Sequence, residues 1–252
     1  MGAPAKIRVE GVSKTFRSGV REVPALEGIH LDVREGEFVS ILGESGCGKT
    51  TLLRIVAGLI FPSLGRVVLD GSAVTGPRRE MGFVFQQSVL LDWRTVMENV
   101  LLPVEIFRLR RDGFQPEAQK LLDLMGLSGF EGHYPVQLSG GMQQRVAIAR
   151  ALILKPSVLL MDEPFGALDA ITREQMNLEL LRIWSLTRNT ALFVTHDIAE
   201  AVFLSDRVLL LSSRPGRVKE VFEVSLPRPR VLEHRYQADF IHLCREIKRA
   251  MA

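Results

Sequence analysis

The sequence predicts an α/β fold with a mainly parallel sheet, and three observations carry that prediction. Short apolar runs alternate with helical patterns on both sides of the chain's middle, a long helical stretch interrupts them, and the first third reads as extended strands. Strands of a parallel sheet are covered by helices on both faces, so they should read as unbroken apolar runs, and here they do.

IRVEGVSKTF is the first strand pattern. Ile29, Leu31 and Val33 then alternate with polar residues before a turn at Glu35-Gly36, which makes this region an N-terminal antiparallel β subdomain. The buried run FVSIL follows, and a helix is expected from Lys49, with Leu52, Leu53 and Val56 on one face. From about 87 to 151 the character is helical. Thr95 and Glu98 make a T-x-x-E capping box before VLLPVEIF, while Pro116 stands at a helix start and Gly126 just past its end. After Pro156 the alternation resumes with SVLLM, a helix over about 171–188, and ALFVT. The expected organisation is one domain over 1–252. Its core takes about 1–86 and 152–225, with an inserted helical subdomain over 87–151 and a basic tail over 226–252.

A hydrophobic fraction of 46% with 24% charged residues excludes a disordered chain. The balance of 32 basic against 29 acidic residues is too even to call for a nucleic-acid partner. Cys47 and Cys244 give no disulfide framework and suit a reducing compartment. No apolar run approaches the ~20 residues of a membrane helix, and MGAPAKIRVE lacks the apolar centre of a secretion signal. A cytoplasmic chain is expected, with any membrane role supplied through a partner.

The chemistry gathers where strands end. GESGCGKT at 43–50 lies between FVSIL and a helix, and matches G-x-x-x-x-G-K-[ST]. Gly43, Gly46 and Gly48 let the backbone at Glu44, Ser45 and Cys47 turn its N–H groups onto phosphates. Lys49 reaches the outer phosphates and the Thr50 hydroxyl can hold magnesium. Thr51 follows in the first helical turn. VLLMDEP at 158–164 brings Asp162 and Glu163 to the end of a buried strand, the first suited to magnesium and the second to polarising a water. ALFVTHD ends on His196, whose neighbour Asp197 is equally a helix cap with Glu200 three positions later. MGFVFQ ends on Gln86, a neutral ligand for metal or water, with Gln87 as its rival.

LSGGMQQR at 138–145 has no reactive group, yet it is an elaborate helix entrance. Ser139 is a good N-cap, Gly140 and Gly141 permit close approach, and bare N–H groups at a helix start attract anions. With these motifs the chain resembles the ATP-binding subunit of an ABC transporter over nearly its whole length. GESGCGKTT is similar to the Walker A, VLLMDEP to the Walker B, LSGGMQQR to the signature, FGALD to the D-loop and Gln86 to the Q-loop.

The resemblance implies a P-loop NTPase core of RecA type that binds ATP and Mg2+. Glu163 would be the catalytic carboxylate, His196 the switch histidine, Gln86 a ligand to metal or water, and Phe16 the aromatic on adenine. Asp169 ends the D-loop. It also implies a homodimer in which each copy's Ser139, Gly140 and Gly141 close over ATP held by the other. The partners would be integral-membrane permease subunits and, indirectly, a solute-binding protein, with no nucleic acid, at the cytoplasmic face of the membrane.

SSRPGRV at 212–218 and LLDWRTVMENV at 90–100 resemble the importer branch for nitrate, sulfonates and taurine. Leu90, Leu91 and Trp93 would then be exposed contacts for a membrane subunit, or else core. Met142 and Asp92 depart from the residues commonest at those positions in the family. Other readings are an ABC subunit for an unrelated substrate, a soluble ABC ATPase of repair or translation, and a regulatory module without hydrolysis. From Arg214 the tail carries nine Lys/Arg against five acidic residues, and Phe240, Leu243, Cys244, Ile247 and Met251 share one helical face. That face would pack on the body, with a membrane-surface role as the weaker alternative. Alkylation of Cys47 should block ATP binding, with ATP protecting.

Overall fold

In a computed structural model the described residues are 5–19, 21–166 and 168–251. Residues 1–4 and Ala167 of FGALD therefore lie outside them. Two units make up the chain, Met1–Arg78 with Arg188–Ala252, and Arg79–Thr187.

The first unit holds two sheets. Strands β1 (Ala5–Ser18) and β2 (Arg21–Arg34) pair antiparallel, and β4 (Leu64–Leu69) and β5 (Ser72–Ala73) extend them in the order β2-β1-β4-β5. Their inward residues Ile7, Val9, Val12, Ile29, Leu31 and Val33 are buried, and the last three are the alternation read from the sequence. In the other sheet β3 (Phe38–Leu42) lies between β8 (Thr190–Thr195) and β9 (Arg207–Leu211), parallel to both, and β10 (Val218–Glu223) closes the edge antiparallel to β9. All five residues of β3 and all six of β8 are buried, as strands covered on both faces require.

Helix α1 (Lys49–Val56) follows β3, and α6 (Ile198–Leu204) links β8 to β9. The C-terminal helix α7 (Ala238–Met251) packs against α6 through buried Phe240 and Ile247, while Leu243 and Cys244 are half-buried. The apolar face of the basic tail is thus turned onto protein.

In the second unit β6 (Met81–Val84) and β7 (Val158–Asp162) pair in parallel. Helices α2 (Val96–Ile106), α3 (Gln115–Leu124) and α4 (Gly140–Leu152) pack on one another, and α5 (Ala170–Thr187) follows β7. The Thr95/Glu98 capping box is present in full, with Glu98 N–H donating to Thr95 Oγ1 at 3.3 Å and Thr95 N–H to Glu98 Oε2 at 2.9 Å. The Thr95 N–H, and after it the Thr95 hydroxyl at 3.2 Å, hold the Glu98 carboxyl below its usual range. Pro116 lies in the first turn of α3, and Gly126 just after it has φ +64°, the left-handed conformation that ends a helix. The unit is wider than the helical stretch 87–151 by β6, β7 and α5.

Candidate functional site

Register fixes the first half of the site. Leu42 at the end of β3 is opposite Thr195 at the end of β8, so the loop from Gly43 and His196 leave the same edge one strand apart. The glycines of the loop are there for space. A Cβ on Gly43 would sit 2.8 Å from Cys47 Sγ and 3.2 Å from the Leu211 carbonyl oxygen. One on Gly48, where φ is +111°, would sit 2.7 Å from Leu26 Cδ2 and 2.8 Å from the Ala25 carbonyl oxygen.

Glu44, Ser45 and Gly46 are exposed, Thr50 and Thr51 are half-buried, and Lys49 is 4% exposed. The Lys49 ammonium donates to the carbonyls of Gly43 and Glu44, each at 2.8 Å, which holds its charge under the loop. Helix α1 begins on Gly48 with no side-chain cap and no acidic residue in its first turn. Its leading N–H groups and dipole are therefore set for an anion, and the adjoining lysine reinforces that preference. Cys47 is buried, and burial raises its thiol pKa against the opposing charge of Lys49.

His196 is exposed, and the backbone on either side of it is anchored. Asp197 N–H donates to Thr195 Oγ1 at 3.0 Å, Asp197 Oδ1 accepts from Glu200 N–H at 2.9 Å, and Thr195 hydrogen-bonds the Glu200 carboxylate. Asp197 is thus the cap of α6. Phe16, on β1, is 41% exposed with the Lys14 ammonium 5.2 Å from its ring centroid.

The second unit places the other residues. Val84 is opposite Met161 in the β6–β7 pair, so Gln86 and Asp162 leave the same strand edge. Asp162 is buried at the end of an all-apolar run, and Glu163 is half-buried. Glu163 has φ +43°, a left-handed conformation uncommon for a residue with a side chain. Its carbonyl accepts from Gly166 N–H at 3.1 Å in a tight turn.

Asp169 accepts from the Thr172 N–H at 3.0 Å and the Thr172 hydroxyl at 2.6 Å, and the Thr172 bonds hold its carboxyl below the usual range. Thr172 Cγ2 lies 3.3 Å from where a Gly141 Cβ would stand, so the Asp169 turn and the signature glycine touch. Ser139 caps α4 by accepting from Met142 N–H at 3.3 Å, Gly140 faces open space, and the first turn carries no acid. This is a second helix entrance set for an anion.

Gln86 and Gln87 are both exposed, and the segment around them is held by α4. Gln144 donates to the Phe85 carbonyl at 3.2 Å. Arg150 donates to the Ser88 and Val89 carbonyls at 2.7 and 2.8 Å. Sequence reasoning missed these anchors, because no local pattern links a helix side chain to a carbonyl about sixty residues earlier. It also missed Gly216, taken only as part of SSRPGRV. A Cβ there would fall 2.2 Å from the Cys47 carbonyl oxygen, so that loop lies against the phosphate loop.

Magnesium chemistry fits the residues present. The first unit offers the Thr50 hydroxyl and the second, separately, the Asp162 carboxylate, each an oxygen donor of the kind magnesium takes, and among the described residues no group of three or more His, Cys, Asp or Glu forms an all-protein cage. One or two protein oxygens completed by phosphates is the set magnesium takes.

The family model described as ABC transporter matches residues 26–166. The aliphatic sulfonates import ATP-binding protein of Bacillus cereus is 45% identical over 224 residues, 89% of this chain and 88% of that protein. The taurine import ATP-binding protein of Yersinia pestis is 52% identical over 197 residues, 78% of this chain and 77% of that protein. Among solved structures, the dimeric structure of a bacterial ABC transporter cassette aligns with a TM-score of 0.78 at 37% identity, covering 88% of this chain and all of that one. With the phosphate loop, the strand-end carboxylates and the signature entrance on a matching fold, the chain belongs to the ABC transporter family, as an ATP-binding subunit with ATPase activity.

Proposed function

We propose that the chain powers import of a small anion, an organic sulfonate such as taurine being the favoured class. In this reading it works as a homodimer on separate membrane subunits at the cytoplasmic face. The likeness to sulfonate and taurine import ATP-binding proteins supports import, and the observation that carries the homodimer is the pair of uncapped or glycine-lined helix entrances, one at Gly48 and one at Ser139, since one chain needs only one to hold a nucleotide's phosphates. Two copies arranged head to tail would use both.

The residues then take these roles. Lys49 and the N–H groups from Glu44 to Thr51 neutralise the phosphates. Thr50, Asp162 and Gln86 hold magnesium, which when bound withdraws charge from the phosphates. Glu163 orients and polarises the attacking water, His196 donates to the outer phosphate, and Phe16 stacks on adenine. Ser139, Gly140 and Gly141 contact the outer phosphate of ATP on the second copy, and Asp169 braces that entrance through Thr172.

An apolar groove in the second unit supports a membrane partner. Its volume is ≈ 360 Å³, and Phe85, Val89, Leu91, Pro103, Ile106 and Phe107 line it. Ile106 is 66% exposed and Trp93 is 74% exposed, whereas Leu90 and Leu91 are half-buried, so Trp93 supports the contact reading of LLDW and the two leucines stand between contact and core. Such a groove suits an amphipathic helix of the permease.

Glu163→Gln tests the reading. It should lower steady-state ATP turnover by about 10²–10⁴-fold while ATP binding persists, and ATP should drive the variant to a dimer in size-exclusion chromatography. Turnover at the wild-type rate would remove Glu163 from catalysis. A chain that stays monomeric with ATP would remove the head-to-tail arrangement.

A further inference from the structure

We propose that Arg228 and Arg230 are positioning residues for ATP hydrolysis, acting through α6 on the loop that carries His196. The proposal rests on the catalytic reading of His196 given above.

Helix α6 has only seven residues, about 10 Å of length, too few to hold itself together by its own hydrogen bonds. Its N-terminal end is the His196–Asp197 loop, pinned to the helix by the Thr195, Asp197 and Glu200 bonds. Where the loop points is therefore decided by where α6 sits. At the other end the last carbonyls have no partners within the helix. The segment LPRPR, residues 226–230, supplies them.

Arg230 Nη1 donates to the carbonyls of Val202 and Phe203 at 3.2 and 2.9 Å, and Arg228 Nη2 donates to that of Leu204 at 2.8 Å. Arg228 Nε also donates to Asp206 Oδ1 at 2.8 Å. Asp206 in turn accepts from the Phe38 N–H at 2.9 Å through Oδ2, and donates its own N–H to the Phe38 carbonyl at 2.7 Å. Phe38 starts β3, the strand that runs into the phosphate loop. Two arginines and one aspartate thus fasten the far end of α6 to the base of the strand that delivers Gly43.

Stability alone does not explain this choice. Arg230 is 6% exposed, and its Nε and Nη2 are buried with no hydrogen-bond partner, the nearer carboxylate oxygen of Asp206 being 4.0 Å from Nη2. Burial lowers the guanidinium pKa to about 10, so at neutral pH a charge is kept inside at a cost. An apolar side chain of the same length would fill the space without unmatched donors. What it could not do is hold the Val202 and Phe203 carbonyls, and with them the direction of α6.

The experiment compares the purified full chain with Arg230→Met, Arg230→Lys, His196→Ala and the double variant His196→Ala/Arg230→Met. Arg230→Met is expected to lower kcat at least about tenfold with KM for ATP within about twofold and no loss of thermal midpoint, and Arg230→Lys to recover part of kcat. In the His196→Ala background Arg230→Met should have no further effect, because both act through one group. A wild-type kcat for Arg230→Met overturns the proposal, as does the same fold-loss in both backgrounds. If Arg230→Met does not fold, Arg228→Gln takes its place with the same expectations. His196→Ala turning over at the wild-type rate would instead sink the reading of His196, a result visible in that single variant.

Discussion

At the residue scale, the site is built from positions where size or backbone geometry is dictated. Gly216→Ala should weaken ATP binding by about tenfold or more, because its methyl group would collide with the Cys47 carbonyl and push the phosphate loop out of shape. Titration of a fluorescent ATP analogue checks this, and unchanged affinity would mean the loop can yield. Cys47 lies inside the loop, and a raised thiol pKa leaves less thiolate at neutral pH than an ordinary cysteine has. Alkylation by N-ethylmaleimide should therefore be slow at neutral pH and accelerate as the medium is made alkaline. ATP should protect and the labelled chain should not bind ATP. Mass spectrometry of the labelled peptide, with the unfolded chain as the fast reference, reads the rates, and equal rates in both would contradict a buried thiol. Gly216 was not legible as part of this site: a glycine in a loop does not announce which backbone it lies against.

At the scale of elements, sequence reading did well wherever a local rule governs. The Thr95/Glu98 box, Pro116 in the first turn of α3 and the left-handed Gly126 after it each follow from chemistry within a few residues. Thr95→Ala should cost about 1 kcal/mol of stability, measured by urea unfolding, with catalysis per folded molecule unchanged. A loss within error of zero would show that the Glu98 side chain alone satisfies the start of α2. The anchoring of Phe85 and Val89 by Gln144 and Arg150 and the fastening of α6 by Arg228 and Arg230 were illegible for the opposite reason. They join donors and carbonyls far apart in the chain, and only the tertiary fold brings them together. The basic count of the tail does not reveal that two of its arginines, buried Arg230 and half-buried Arg228, bond the last carbonyls of α6.

At the scale of the whole molecule, the fold class, the parallel strands and the placement of the candidate residues at strand ends were readable, because buried strands advertise themselves as largely apolar runs. No helix among the described residues is long and apolar enough to cross a membrane. In the proposed function, association with a membrane complex runs through the groove beside Leu91. Ile106→Glu should abolish co-purification with the permease while the thermal midpoint of the isolated chain holds. Retained complex with full transport would place the contact elsewhere.

The order of strands has a consequence for how the protein is made. β3 pairs with β8 and β9, about 150 residues further along, and with no strand near it in sequence. On the ribosome, at the usual pace of synthesis, the strand leading into the phosphate loop waits roughly 10–30 s for its neighbours, its four apolar residues unprotected. A chain cut short before residue 190 lacks both strands that pair with β3, and such a fragment should not bind ATP. The same delay makes the nascent subunit a client for chaperones until its last third has emerged.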